Sequence, residues 1–341
     1  MSAGSETLSK PEEKKSSLSF LKIVFSLVGV CSLYFVLRSY GFTRLLSDIH
    51  SAGWWIVPVA FTFIPTLFCY SAAWQLCTES NKPIRGNLFQ RQLFFFRTTV
   101  ISIAWNNLSP FLKILGEPIK AMLLEKHIGR RDALRSVVLY NVVHLIGTVS
   151  AFLIAAILIP LIYPVAEAMR FGCFFLVAIF CALAALLYFL PWLPIKRVQR
   201  NRWKGLRGAS YWLRWSLQKM RGFYRAHSLA LFAAIGFEVL SRFLEGITFF
   251  TAFRAIGAPI TAGTAAFLDI GRALLDNAFF FIPYQVGSRE FGVGFLMKNV
   301  FQIPMAGYVT ATLFYRMVEI FWMVIGYILW IKPSSSPKSS T

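Results

Sequence analysis

Apolar residues run through this chain in blocks of roughly twenty, each long enough to cross a ~30 Å hydrocarbon layer as a helix. Such blocks fall at 19–37, 54–77, 133–163, 171–190, 228–257 and 304–331, and the stretches between them are short and rich in Lys and Arg. Two further blocks are interrupted. The block at 93–115 is broken by Asn106-Asn107-Leu108-Ser109-Pro110, where Pro110 removes a donor and disfavours helix at Ser109. The block at 265–302 is broken by Ile282-Pro283-Tyr284-Gln285-Val286-Gly287-Ser288-Arg289-Glu290-Phe291-Gly292. Broken backbone at membrane depth needs shelter in protein or in a wet cavity, and ionisable side chains there cost several kcal/mol.

Charge orients the chain. Between 196 and 225 it carries ten Lys/Arg and no Asp or Glu. If every block spanned and the N-terminus were inside, this loop would lie outside, against the positive-inside rule. If the block at 93–115 enters and returns on one side, the basic loops, the N-terminus and the C-terminus all fall in the cytoplasm. We therefore expect an all-α integral membrane protein with about six spanning helices and two broken re-entrant hairpins, near 93–116 and 265–302. The hairpins enter from opposite sides, the sequence pointer to an inverted repeat with a site at the midplane; this repeat is inferred from hydropathy and breaks alone.

Three domains follow: a disordered cytoplasmic tail at 1–18, a membrane domain at 19–332 and a disordered tail at 333–341. The run at 19–37 lacks a small-residue cleavage site and reads as a retained helix. In the basic loop, Leu206, Leu213, Leu217 and Met220 share a helical face beside Arg207, Arg214, Arg221 and Arg225. That pattern fits a helix lying on an anionic surface, or equally a loop that only fixes topology.

Composition sharpens this picture. The 341 residues are 57% hydrophobic and 15% charged, with a formal net charge of +20, and the mean hydropathy is +0.59. In a soluble protein that charge would point to nucleic acid; with the basic residues set between apolar blocks, anionic lipid headgroups are the expected partners. The five cysteines lie in or at the end of apolar runs without CxxC spacing, and the four histidines form no HExxH. We expect neither metal nor cofactor.

The polar residues inside apolar blocks are the candidate site. Arginine matches phosphate through its planar, permanently charged fork, so Arg242, Arg272, Arg289 and Arg316 are candidates to hold a headgroup phosphate. Glu117 and Glu290 are candidates to receive an amine or hydroxyl, or to keep the arginines in place, and Glu238, Asp269 and Asp276 complete the candidate binding set. Glu238/Arg242 and Arg272/Asp276 are four apart and Arg316/Glu319 three apart, so an alternative is that these pairs neutralise one another inside the bundle. Asn141 and His144 read as interhelical hydrogen-bonding positions.

The stretch Gly116-Glu117-Pro118-Ile119-Lys120-Ala121-Met122-Leu123-Leu124 resembles the Gly-Glu-x-x-(Arg/Lys)-Ala-x-Leu-Leu signature of the lysylphosphatidylglycerol synthase transmembrane family, which also brings in Lys120. Pro283 through Glu290 resembles that family's second signature. The pattern differs at Tyr140-Asn141 and His144, where the family often carries Glu-Arg and a later Asp, and at Ser288, where it has a second glycine. The resemblance spans about 20–331. It implies a plasma (inner) membrane protein that moves a phospholipid, hopanoid or other polar lipid between leaflets, with Glu117, Arg289 and Glu290 lining the site. The family's aminoacyltransferase activity resides in a soluble domain, which we expect to be absent. With no nucleotide motif either, we expect a flippase-like transporter and not an enzyme. The alternatives are an intramembrane lipid-modifying transferase or a non-catalytic partner of a lipid-biosynthesis enzyme.

Overall fold

The computed structural model describes residues 52–79, 84–107, 115–189, 221–258, 260–278, 285, 288–303 and 307–331, with the single positions 43, 47 and 50. The expected tails, the first apolar block, the break at 108–114, the basic loop up to 220 and most of the second break lie outside the described residues. Among the described residues, every regular element is helical. A 3-10 turn, Gly53–Trp55, leads into α1 (Ile56–Phe61) and α2 (Ile64–Glu79); α3 is Leu88–Asn107, α4 Gly116–Ile128, α5 Arg130–Ile162 and α6 Glu167–Phe189. Then come α7 (Ser228–Ala255), α8 (Ala262–Ala278), α9 (Ser288–Leu296, extended by a π-turn over Met297–Phe301) and α10 (Tyr308–Ile331).

Among the described residues, four helical stretches are long and apolar enough to cross a membrane: Gly53–Thr78, Arg130–Ile162, Glu167–Leu186 and Tyr308–Ile331. The 28 residues of α7 would reach about 42 Å, but they carry Glu238, Arg242, Glu245 and Arg254. The second expected span is divided between Phe61 and Ile64. Pro65 explains the division, because its ring would clash with the carbonyl four residues back, that of Phe61. The hydroxyl of Thr62 closes the break, donating to the Val59 carbonyl at 2.7 Å.

Both hairpins are present, and contacts at their mouths show that each returns to the side it entered. In the first, α3 and α4, the ring of Phe94 near the start packs on His127 near the end, centroids 4.6 Å apart. Toward the tip, Gly116 N–H donates to Asn106 Oδ1 at 2.7 Å. In the second, α8 and α9, Thr264 near the start is 3.0 Å from the Tyr163 hydroxyl. Phe301 near the end packs edge-on against the same tyrosine, while Gln302 donates to the Pro164 carbonyl. Helix α5 starts at Arg130, just after the first mouth, and its last turn precedes Tyr163 at the second. Its 33 residues reach about 50 Å, so the hairpins enter from opposite ends of one helix.

The first hairpin is longer than its expected span of 93–116. Helix α4 is the returning limb, and it sets Glu117 and Lys120 inside the bundle.

Helix neighbours follow a repeat. Helix α2 packs on α3, α4 on α5, and α5 on α2; their counterparts are α7 on α8, α9 on α10, and α10 on α7. The pair α3–α10 is mirrored by α8–α5, and α2 packs on α7 across the centre. Thr62 meets Thr248 and Tyr70 meets Glu245, so this central pair runs antiparallel, the relation an inverted repeat requires. Helix α6, packed on α5, stands outside the repeat.

Each hairpin has its own apolar core. One gathers Trp74, Phe95, Leu124 and Tyr140, with Phe223 from the end of the basic loop. The other gathers Phe249, Phe253, Leu268, Val293, Met297 and Phe314. Lipid tails are as apolar as these side chains, so close approach and hydrogen bonds must hold the helices together. Gly246 supplies the closest approach: a Cβ there would collide with Ala266 Cα and N. That contact brings α7 against α8 at backbone distance.

Candidate functional site

Eight of the ten residues singled out in the sequence form one buried network. Arg272, on α8, is its hub. It donates to Asp269 Oδ1 at 2.8 Å, Asp276 Oδ2 at 2.5 Å and the Tyr315 hydroxyl at 3.1 Å, and it reaches Glu245 at 3.9 Å. The helical period places Asp269, Arg272 and Asp276 on one face, and that face is turned inward, with all three buried.

From the hub the network runs two ways. Toward α9 and α10, Arg289 donates to Asp276 Oδ2 at 3.0 Å, Glu319 Oε2 at 2.8 Å and Gln285 Oε1 at 2.8 Å. Arg316 donates to Glu290 Oε1 and to the Gln285 carbonyl, both at 2.9 Å. Toward α7 and α5, Arg242 reaches Glu245 at 3.4 Å and donates to His144 Nε2 and Thr148 Oγ1, both at 3.1 Å. His144 Nδ1 lies 2.7 Å from Glu238 Oε2. A neutral imidazole that accepts from Arg242 at Nε2 and donates to Glu238 from Nδ1 satisfies both contacts.

The remaining two residues, Glu117 and Lys120, pair with each other at 3.1 Å in the first hairpin. Lys120 Nζ also lies 4.4 Å from the Tyr140 ring centroid and 5.6 Å from that of Trp74, a cation–π setting. Tyr140 packs on His144, so one aromatic ring separates this pair from the large network.

Glu238, Arg316 and Glu319 find partners on other helices, while Arg242 pairs within α7 as well as across to α5. Glu238 binds His144 of α5, while its expected partner Arg242 binds Glu245. Glu319 accepts from Arg289, and Arg316 donates to Glu290. Arg272 keeps its expected partner, Asp276, and adds Asp269.

Sequence reasoning passed over four contributors. Tyr70 donates its hydroxyl to Glu245, Tyr315 stacks on Arg272 with 4.4 Å between guanidinium carbon and ring centroid, Gln285 bridges Arg289 and Arg316, and Glu245 joins the two halves of the network. Gln285 had a signal, a polar side chain inside the second break; its φ of 53° is rare for a non-glycine residue and marks a strained turn. The two tyrosines had none, since aromatic residues are dense throughout the chain.

The charges are unequal. Among the described residues, Arg242, Arg272, Arg289 and Arg316 face six carboxylates: Glu238, Glu245, Asp269, Asp276, Glu290 and Glu319. Four buried carboxylate oxygens accept from no donor: Glu117 Oε2, Glu238 Oε1, Asp269 Oδ2 and Asp276 Oδ1. Orphaned acceptors in a buried site are costly, and they fit a bound proton, an amine or a hydroxyl.

Comparison with known proteins adds one match: the family model for the lysylphosphatidylglycerol synthase TM region covers residues 19–326. Neither a curated protein nor a solved structure matches the chain.

Proposed function

The chain belongs to the lysylphosphatidylglycerol synthase transmembrane family, and on that premise we propose that it moves a phospholipid, hopanoid or other polar lipid between leaflets. It is a membrane protein of a lipid-related family; the transport step, the plasma-membrane location and the cytoplasmic placement of both termini are our reading. The observation that carries it is the pair of hairpins entering from opposite ends of α5. Each brings charged side chains into the bundle, one to each side of Tyr140.

In this reading a headgroup enters beside one hairpin and leaves beside the other while the acyl chains stay in the bilayer. Every arginine in the network already holds a carboxylate, so a phosphate is received by exchange. Glu319, the most exposed of the six acids, gives up Arg289, and Glu290 gives up Arg316. One anion replaces another at each guanidinium, so no buried cation is left uncompensated during the swap. Glu117 and Lys120 offer the headgroup one acceptor and one donor at the other hairpin. No chemical change to the lipid is involved. The basic loop meets anionic headgroups at the cytoplasmic surface.

The test is leaflet-resolved transfer in proteoliposomes with labelled phosphatidylglycerol, an aminoacylated derivative and a hopanoid. We expect transfer by wild type, its loss in Glu290→Gln and in Arg289→Met, and unchanged lipid masses. No transfer above empty vesicles would overturn the reading for these lipids, and a changed lipid mass would favour the transferase.

A further inference from the structure

The centre of the network contains two acids with too few donors between them. Glu245 on α7 and Asp269 on α8 face each other where the helices touch at Gly246 and Ala266. One guanidinium touches both: Arg272 lies 2.8 Å from Asp269 Oδ1 and 3.9 Å from Glu245 Oε2. Asp269 has no exposed surface, and its Oδ2 accepts from no donor. Two like charges gathered on one buried guanidinium, one of them with an oxygen that meets no donor, favour a single proton held by the pair.

The surroundings support this. Helix α2 contributes the Tyr70 hydroxyl, which donates to Glu245. On α7, Arg242 binds Glu245, with Glu238 one turn beyond Glu245's neighbour Ser241. Helix α5 presents His144, joined to both Arg242 and Glu238. Helix α8 adds Arg272, touching both acids, and Asp276. Helix α9 adds Arg289, bound to Asp276, and α10 adds Tyr315 over Arg272 and Glu319 on Arg289. The ends of this chain of groups are accessible while the middle is not: the side chains of His144 and Glu319 are 36% and 32% exposed, against 0% for Asp269.

We propose that Glu245 and Asp269 share one exchangeable proton, and that its loading and release accompany each transport cycle. The second half rests on the transporter reading; the first does not. Loading adds one proton from water to a carboxylate oxygen, by way of the His144 or the Glu319 end, and release returns it to water. No other bond changes. With the proton gone, Arg242 and Arg272 hold two full negative charges and clasp α8 to α7; with it bound, the clasp relaxes and hairpin two is free to move.

Infrared difference spectroscopy on the full chain in phosphatidylglycerol vesicles tests the site. We expect a protonated-carboxyl carbonyl band at neutral pH that shifts on exchange into D2O. It should be lost in Asp269→Asn and in Glu245→Gln and kept in Glu167→Gln, an exposed position on α6. A wild type without the band, or a band unchanged in both network variants, overturns the site whether or not the variants fold well. Transfer of labelled phosphatidylglycerol under opposite pH gradients tests the coupling: it should be faster under one sign, with that preference lost in Asp269→Asn. Equal rates under both signs overturn the coupling. Absence of any transfer removes the coupling along with the transporter reading, and the band still judges the site alone.

Discussion

Among the described residues, the ion pair that hairpin one carries into the bundle is Glu117 with Lys120, whereas its repeat counterpart, hairpin two, carries Asp269, Arg272, Asp276, Arg289 and Glu290. These five are tied to α7 and α10 by at least three ion pairs. The backbone plan is shared and the wiring is not. Glu117 keeps 24% of its side chain exposed, and one of its oxygens has no partner, so this acid is available to a ligand. Arg272 is 6% exposed and bonded on every side, so its first duty is to hold carboxylates that would otherwise repel. A charge at membrane depth therefore does not declare its role by depth alone. The number of partners it already has separates a residue that binds from one that braces.

The comparison breaks most visibly at the hub. Arg272→Met leaves Asp269, Asp276 and Glu245 facing one another, and removing one member of a buried ion network costs about 3–5 kcal/mol. We expect little folded protein in size-exclusion chromatography from detergent. Gly246→Val tests the same region without touching a charge. Overpacking costs about 1–3 kcal/mol, and here the obstacle is backbone of Ala266, so the loss in thermal midpoint should fall at or above the top of that range.

Asp276→Asn sharpens the contrast. It keeps the shape but withdraws the negative charge that Arg272 and Arg289 share, for an expected loss of about 1–3 kcal/mol, read by denaturation in mild detergent. Lys120→Met is the counterpart in hairpin one. Lys120 is buried, but Glu117 keeps 24% of its side chain exposed, so the acid left behind is less costly than the three that Arg272 leaves, and the fold should survive while lipid transfer falls. If Lys120→Met destabilised the protein as much as Arg272→Met, the division into a bracing and a binding hairpin would be wrong.

Much of the architecture was legible in order along the chain. Apolar block length gives the spans, and Pro110 with its polar neighbours and Pro283 with Gly287 mark two breaks. The distribution of Lys and Arg favours one block returning on the side it entered. Helix α4 runs past the expected hairpin limit at 116 because thirteen residues containing Glu117, Lys120, Glu125 and Lys126 look like surface in one dimension. In space, Lys120 is covered by Trp74 and Tyr140, and Glu117 neutralises it. The division of the second span was also readable in principle, from Pro65, but a proline in an apolar run is compatible with a kinked helix as well as a broken one.

Of the site, the sequence determined which charges lie at membrane depth, since composition along a helix fixes depth and the helical period fixes which charges share a face. It could not assign partners. Glu238 and Arg242 sit at ideal spacing on one helix, yet helix packing set His144 of α5 against both, and Arg242 takes Glu245 of its own helix as its carboxylate. The closeness of Glu245 to Asp269 depends on Gly246 admitting Ala266, a contact between residues far apart in the chain. Local periodicity sets what a helix can present. Which presented groups meet, and hence which acid is satisfied, shared or left open, is decided only when the helices pack.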